Sequence, residues 1–192
     1  DGDTATISLL LTVKDDVPGT MTAEPAAIVE DEQLTGGIDE PGDATPDYTA
    51  TATGNVSDNG GWGADGFGEL TQIQIDANTA VAVPTGGSTT VYFGQDGSYQ
   101  GTTATGAAAS LLVNSTGTYT FTLLDNMLIS GAAEQADNLG TVTFTGKDGD
   151  GDTATISLLL TVKDDVPVIN AANILVYANA DNPTPGGTEI FD

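Results

Sequence analysis

Residues 4 to 13 alternate between two faces: Ala5, Ile7, Leu9, Leu11 and Val13 on one, and Thr4, Thr6, Ser8, Leu10 and Thr12 on the other. A period of two rich in β-branched residues predicts a half-buried strand. The same letters return later. Asp1 to Pro18 recurs unchanged at Asp150 to Pro167, an offset of 150 − 1 = 149 residues. The second copy places Ala154, Ile156, Leu158, Leu160 and Val162 on its core face. Each copy ends in Lys-Asp-Asp-Val-Pro, where proline, unable to donate to a ladder, stiffens the exit. Eighteen identical residues make the chain a window on a tandem array. Residues 1–14 read as the last strand of a preceding repeat, 15–167 as a complete repeat, and 168–192 as the start of the following one.

Between the copies, a short strand is predicted near Ala26 to Val29, and another where Tyr48, Ala50 and Ala52 alternate with threonines. Ser57 to Gly68 reads as a glycine-rich loop holding the only tryptophan, Trp62. Further strands are predicted with Ile73 and Ile75, Val91 and Phe93, Leu111 to Val113, Tyr119 with Phe121 and Leu123, and Val142 with Phe144. A short helix is predicted around Ala132 to Ala136. Seven or more short strands separated by turn signals, without a βαβ rhythm, predict an all-β protein: an antiparallel, immunoglobulin-like β-sandwich serving as a tandem-repeat module. In such a module residues 1–14 present a raw strand edge, expected to pair with another chain or an edge strand.

Charge changes the picture most. Three lysines and no arginine or histidine face 28 acidic residues, a net charge of −25. Such a surface repels nucleic acid and anionic membranes, and it opposes its own compaction unless cations neutralise part of it. No apolar run approaches the ~20 residues that span a bilayer. The absence of cysteine removes disulfides and thiolate metal sites. Lacking His, Cys and Arg, the chain has no usual nucleophile–base pair or phosphate clamp, so an enzyme is not expected.

The candidate chemistry lies in the carboxylates. Asp148, Asp150 and Asp152 alternate with glycines in a tight turn, which suits the six to eight oxygens sought by Ca²⁺. The linker pairs Asp15–Asp16 and Asp164–Asp165 are a second source of ligands, and Glu30, Asp31 and Glu32 a third. All three lysines (Lys14, Lys147, Lys163) directly precede such clusters. If the turn before the last strand lies where the chain enters the sandwich, it approaches Asp15 and Asp16, with Glu30 to Glu32 as neighbours. A Ca²⁺ held there would fix the angle between neighbouring repeats of the chain, and Asp164 and Asp165 would serve the next junction. The plainer alternative is a solvated acidic surface. Asp148 to Asp152 opens like an EF-hand loop, but Thr153 stands where the loop needs glycine and Leu159 where it needs glutamate. Gly60 to Gly68 fits one nonapeptide of a calcium β-roll, a fold that needs stacked copies, so it reads as a loop with Asp65 an outside candidate ligand. Trp62 among glycines suggests either a core cap or a platform for a sugar ring, the latter making the chain a carbohydrate-binding module.

Tyr119 to Asp125, Val142 to Ile156 and Leu160 to Pro167 closely resemble the tandem repeat domain of type I-secreted RTX giant adhesins of bacteria. Glu30 to Gly36 and Gly63 to Gly66 are similar to its early part. The resemblance covers about Val17 to Pro167, and the final hairpin with its linker is the most specific portion. It implies secreted, cell-surface extender modules that rigidify in extracellular calcium and project a distal binding domain. The acidic stretch Asp39 to Asp47 and the alanines at 107–109 depart from the pattern.

Overall fold

The computed structural model describes residues 1–37, 48–128 and 136–163. Among the described residues, ten strands build two five-stranded sheets. They are β1 (Ala27–Glu30), β2 (Thr51–Asn55), β3 (Phe67–Ile75), β4 (Val81–Ala82), β5 (Ser88–Gly94), β6 (Tyr99–Gly101), β7 (Ala107–Asn114), β8 (Thr118–Leu123), β9 (Ala136–Asp148) and β10 (Thr153–Lys163). One sheet has the order β1-β10-β9-β3-β4 and the other β2-β8-β7-β5-β6. All pairings are antiparallel except β1 with β10, where Ala27 lies beside Leu160 and Glu30 beside Lys163. The all-β sandwich expected from the alternation is present.

Alternation places the core. On β10, Ile156, Leu158, Leu160 and Val162 are buried while Thr155, Ser157 and Leu159 face out. Tyr119, Phe121 and Leu123 of β8 are buried opposite Val142 and Phe144 of β9, and the Tyr119 and Phe144 rings stack at 5.6 Å across the two sheets. Ile73, Ile75, Val91 and Phe93 also point inward as expected. The alanines at 107–109 open β7, which is longer than its apolar run suggests. Ala109 lies beside Phe93 across the ladder, a small residue leaving room for a large one.

The first copy of the repeated strand behaves differently. Residues 1–26 contain no assigned strand, and Ile7, Leu9, Leu11 and Val13 are 79–93% exposed. The peptide that forms β10 therefore stays outside any sheet at residues 4–13, because alternation fixes which side chains would share a face but supplies no partner strand. The predicted helix falls in 129–135, outside the described residues, apart from Ala136, which begins β9. The acidic stretch at 39–47 and the tail beyond Lys163 also lie outside them.

Trp62 is a core cap. It is 3% exposed, donates its indole N–H to the Val56 carbonyl at 3.1 Å, and meets Phe67 edge-on at 5.0 Å. No ring face is left for a sugar, which corrects the platform reading. The predicted loop around it is two 3₁₀ turns, Val56–Asp58 and Gly60–Trp62, and Phe67 already belongs to β3.

Candidate metal centre

The β9–β10 turn gathers its own carboxylates. Asp148 is 2% exposed, and its Oδ1 accepts the backbone N–H groups of Gly151 at 2.9 Å and Asp152 at 2.8 Å. Its Oδ2 is buried without a hydrogen-bond partner. One carboxylate oxygen from each of Asp148, Asp150 and Asp152 lies within 4.8 Å of the others, so a cation there would meet three ligands from five residues. The turn is tied to the loop before β3: Gly149 donates to the Gly66 carbonyl at 3.1 Å. A Cβ at Gly149 would stand 2.6 Å from the Asp65 carbonyl oxygen, so only glycine permits this approach.

That approach completes a second trio. Carboxylate oxygens of Asp15, Asp65 and Asp150 also lie within 4.8 Å of one another. Asp150 is common to both groups. It connects the linker (Asp15), the loop (Asp65) and the hairpin turn (Asp148, Asp152). Asp16 takes a different role, its Oδ2 accepting the Ala64 N–H at 2.7 Å. The rest of the linker is held by further hydrogen bonds: Gly19 N–H to Gly61 O, Asn59 Nδ2 to Thr22 O, and Glu24 N–H to Ser157 O.

Electrostatics records the crowding. The hydrogen bond shared with Asp148, together with burial and the charges of Asp148 and Asp15, pushes Asp150 up to about 6. Burial works to raise Asp148 too, but its hydrogen bonds with Asp150 and with the backbone of Gly151 and Asp152 hold it below the usual carboxylate range. Crowded carboxyls of this kind favour a bound cation over protons as pH rises.

The expectation that Glu30 to Glu32 neighbour the 148–152 turn is corrected. Because β1 runs parallel to β10, these residues sit at the far end of the sandwich, beside Lys163. At ~3.4 Å per residue, β10 separates them from the 148–152 turn by about 34 Å. Glu30 is buried there, paired with Lys163 Nζ at 3.2 Å and accepting the Tyr48 N–H at 3.1 Å, while Lys163 lies 5.2 Å from the Tyr48 ring centre. Asp31, also buried, borders a cavity of about 380 Å³ with Leu34, Leu124 and Asp125. Asp164 and Asp165 lie outside the described residues.

Sequence reasoning thus singled out Asp15, Asp148, Asp150 and Asp152, which the fold brings together, but left Asp65 at the margin, since its place in the cluster comes from the Gly66–Gly149 contact and not from its own motif. No protein-family model matches this chain, and no curated protein matches it.

The donors suit a hard cation. They are carboxylates only, with no imidazole or thiolate anywhere in the sequence, which favours Ca²⁺ or Mg²⁺ over zinc or copper. The buried, unpartnered Asp148 Oδ2 fits an oxygen reserved for a metal. No helix among the described residues is long and apolar enough to cross a membrane.

Proposed function

We propose that the chain is a calcium-stabilised, immunoglobulin-like extender module of a secreted bacterial surface adhesin. It acts mechanically and not catalytically, as one unit of a tandem array that projects a distal binding domain. The observation that carries this reading is the position of Asp150 between the linker carboxylate Asp15 and the body carboxylates Asp65, Asp148 and Asp152. A cation bound there would neutralise crowded charge and lock the linker to the domain in one step. Ca²⁺ suits the site better than Mg²⁺, because it accepts irregular, oxygen-rich shells of six to eight ligands. The resemblance of the hairpin and linker to RTX adhesin repeats points the same way. The carbohydrate-binding alternative has lost its platform with the burial of Trp62.

Isothermal titration with Ca²⁺ and thermal melts with and without chelator test the reading. The expected result is exothermic or endothermic binding heat together with a higher melting temperature in calcium, both greatly weakened by Asp150→Asn. Absence of heat and an unchanged melting temperature would remove calcium from the proposal.

A further inference from the structure

We propose that Lys163 and Glu30 condense to a side-chain amide, a permanent covalent tie between β10 and β1. The argument begins with position. Glu30 ends β1 and Lys163 ends β10, and the parallel register sets them side by side although 133 positions separate them in sequence. Lys163 Nζ lies 3.2 Å from Glu30 Oε1, and the two side chains are only 17% and 3% exposed. Groups held in contact with little water between them react without an encounter step, the situation in which proximity raises a rate most. The carboxyl is also polarised from its other side. Glu30 Oε2 accepts the Tyr48 backbone N–H at 3.1 Å, so a donor already stands where negative charge gathers when an amine adds to Cδ. The Tyr48 ring covers the amine, 5.2 Å from Nζ.

In the condensation one ammonium proton passes to Oε1 along the existing contact and frees the Nζ lone pair. Nζ then adds to Cδ, and the negative charge falls on Oε2 beside the Tyr48 N–H. A second Nζ proton goes to Oε1, the Cδ–Oε1 bond breaks, and water leaves. One ammonium and one carboxylate become one neutral amide and one water, with no oxidant, reductant or other reactant. The product also removes a buried ion pair, whose desolvation opposes folding. Lys147 and Glu69 supply a contrast within the same chain. They are closer, at 2.8 Å, but 40% and 18% exposed, and Glu69 Oε1 also accepts the Thr85 hydroxyl. That hydrated pair should stay ionic, so burial decides and not contact alone. A tie at Lys163 would pass tension straight from β1 to β10 and leave residues 31–162 out of the load path.

The intact mass of the full chain, folded and then denatured, reads the step. The amide is expected to lower it by about 18 Da, one water, relative to the sequence. Lys163→Arg keeps a cation beside Glu30 but cannot form the lysyl amide, and should show its full mass. The sequence has three lysines, so a lysine-specific protease should cut after Lys14 and Lys147 but not after Lys163. The fragment containing Glu30 should then stay joined to the one containing Lys163. The Asp–Gly steps of the chain can also lose water, as cyclic imides, but hydroxylamine opens those and leaves an amide intact. A wild-type mass equal to that of the sequence, a deficit that hydroxylamine removes, or a deficit that persists in Lys163→Arg would overturn the proposal. None of these readings involves calcium, so their outcome is separate from that of the metal centre.

Discussion

Trp62→Ala separates a core cap from a binding platform by magnitude alone. A tryptophan buries roughly 200 Å², and at ~25 cal/mol per Å² its removal forfeits about 5 kcal/mol. That is an upper bound, because unfolded chains already bury part of this area, and about 3–4 kcal/mol is the better figure. Losing the indole N–H also leaves the Val56 carbonyl without that donor, adding about 1 kcal/mol. The site cannot collapse cheaply, since Phe67 and Leu70 belong to a strand held in register by β9. A total of about 4–5 kcal/mol corresponds to a fall of roughly 8–20 °C in melting temperature for a domain of this size. The assay is urea and thermal unfolding at fixed calcium, with the urea slope checked for a constant value. Gly146→Ala approaches the same contact from the other side, because its Cβ would stand 2.6 Å from Trp62 Cη2. Overpacking there is expected to cost about 1–3 kcal/mol. A Trp62→Ala loss below ~1 kcal/mol would refute the reasoning, and the more so if glycan binding disappeared with it.

Three further outcomes are expected. The raised pKa of Asp150 gives the metal-free fold a contribution to stability that is fully present below the ordinary carboxylate value and lost as pH rises through about 6. Asp148, held low, contributes stability that is fully present above the ordinary carboxylate value and is lost only as pH falls below it. Metal-free melting temperatures should therefore fall between pH 4.5 and 7, while Ca²⁺ affinity should drop roughly tenfold per unit below pH 6; Asp150→Asn should flatten both, as followed by scanning calorimetry. Lys163→Met leaves the Glu30 carboxylate buried without its ion pair and should cost about 3–5 kcal/mol in urea titrations; recovery by the double change with Glu30→Gln would identify the stranded charge as the cause. Asp16→Ala removes the acceptor of the Ala64 N–H and should lower the protection of that amide in hydrogen exchange while β9 and β10 stay protected.

Much of the sandwich is legible from period-two alternation, since a strand with one wet face must write that face into its sequence. Val142, Phe144, Ile156 and Leu158 are examples. Three features escaped for physical reasons. The parallel pairing of β1 with β10 depends on topology, which alternation does not encode, and it carries Glu30 to Glu32 to the far end of the sandwich. Asp65 joins the acidic centre through backbone contacts between two loops. Residues 4–13 have the pattern of a strand without the neighbours that make one, so identical letters give β10 in one place and exposed chain in the other. The available signal for Asp65 was its place in a glycine-rich loop, where backbone can come close to backbone.

The parallel pairing of β1 and β10 also sets how the module bears load. The chain enters β1 from the 148–152 end and leaves β10 at the Lys163 end, and Glu24 N–H to Ser157 O extends their ladder toward the entrance. Tension applied through the two termini would pull these neighbours past each other along their length. Their hydrogen bonds would then be strained together instead of being opened one after another, as happens in a hairpin peeled from its end. Such an arrangement would suit the extender role proposed above. Lys163→Met, which removes the side-chain bridge at the last rung, should therefore lower the single-molecule unfolding force as well as the melting temperature.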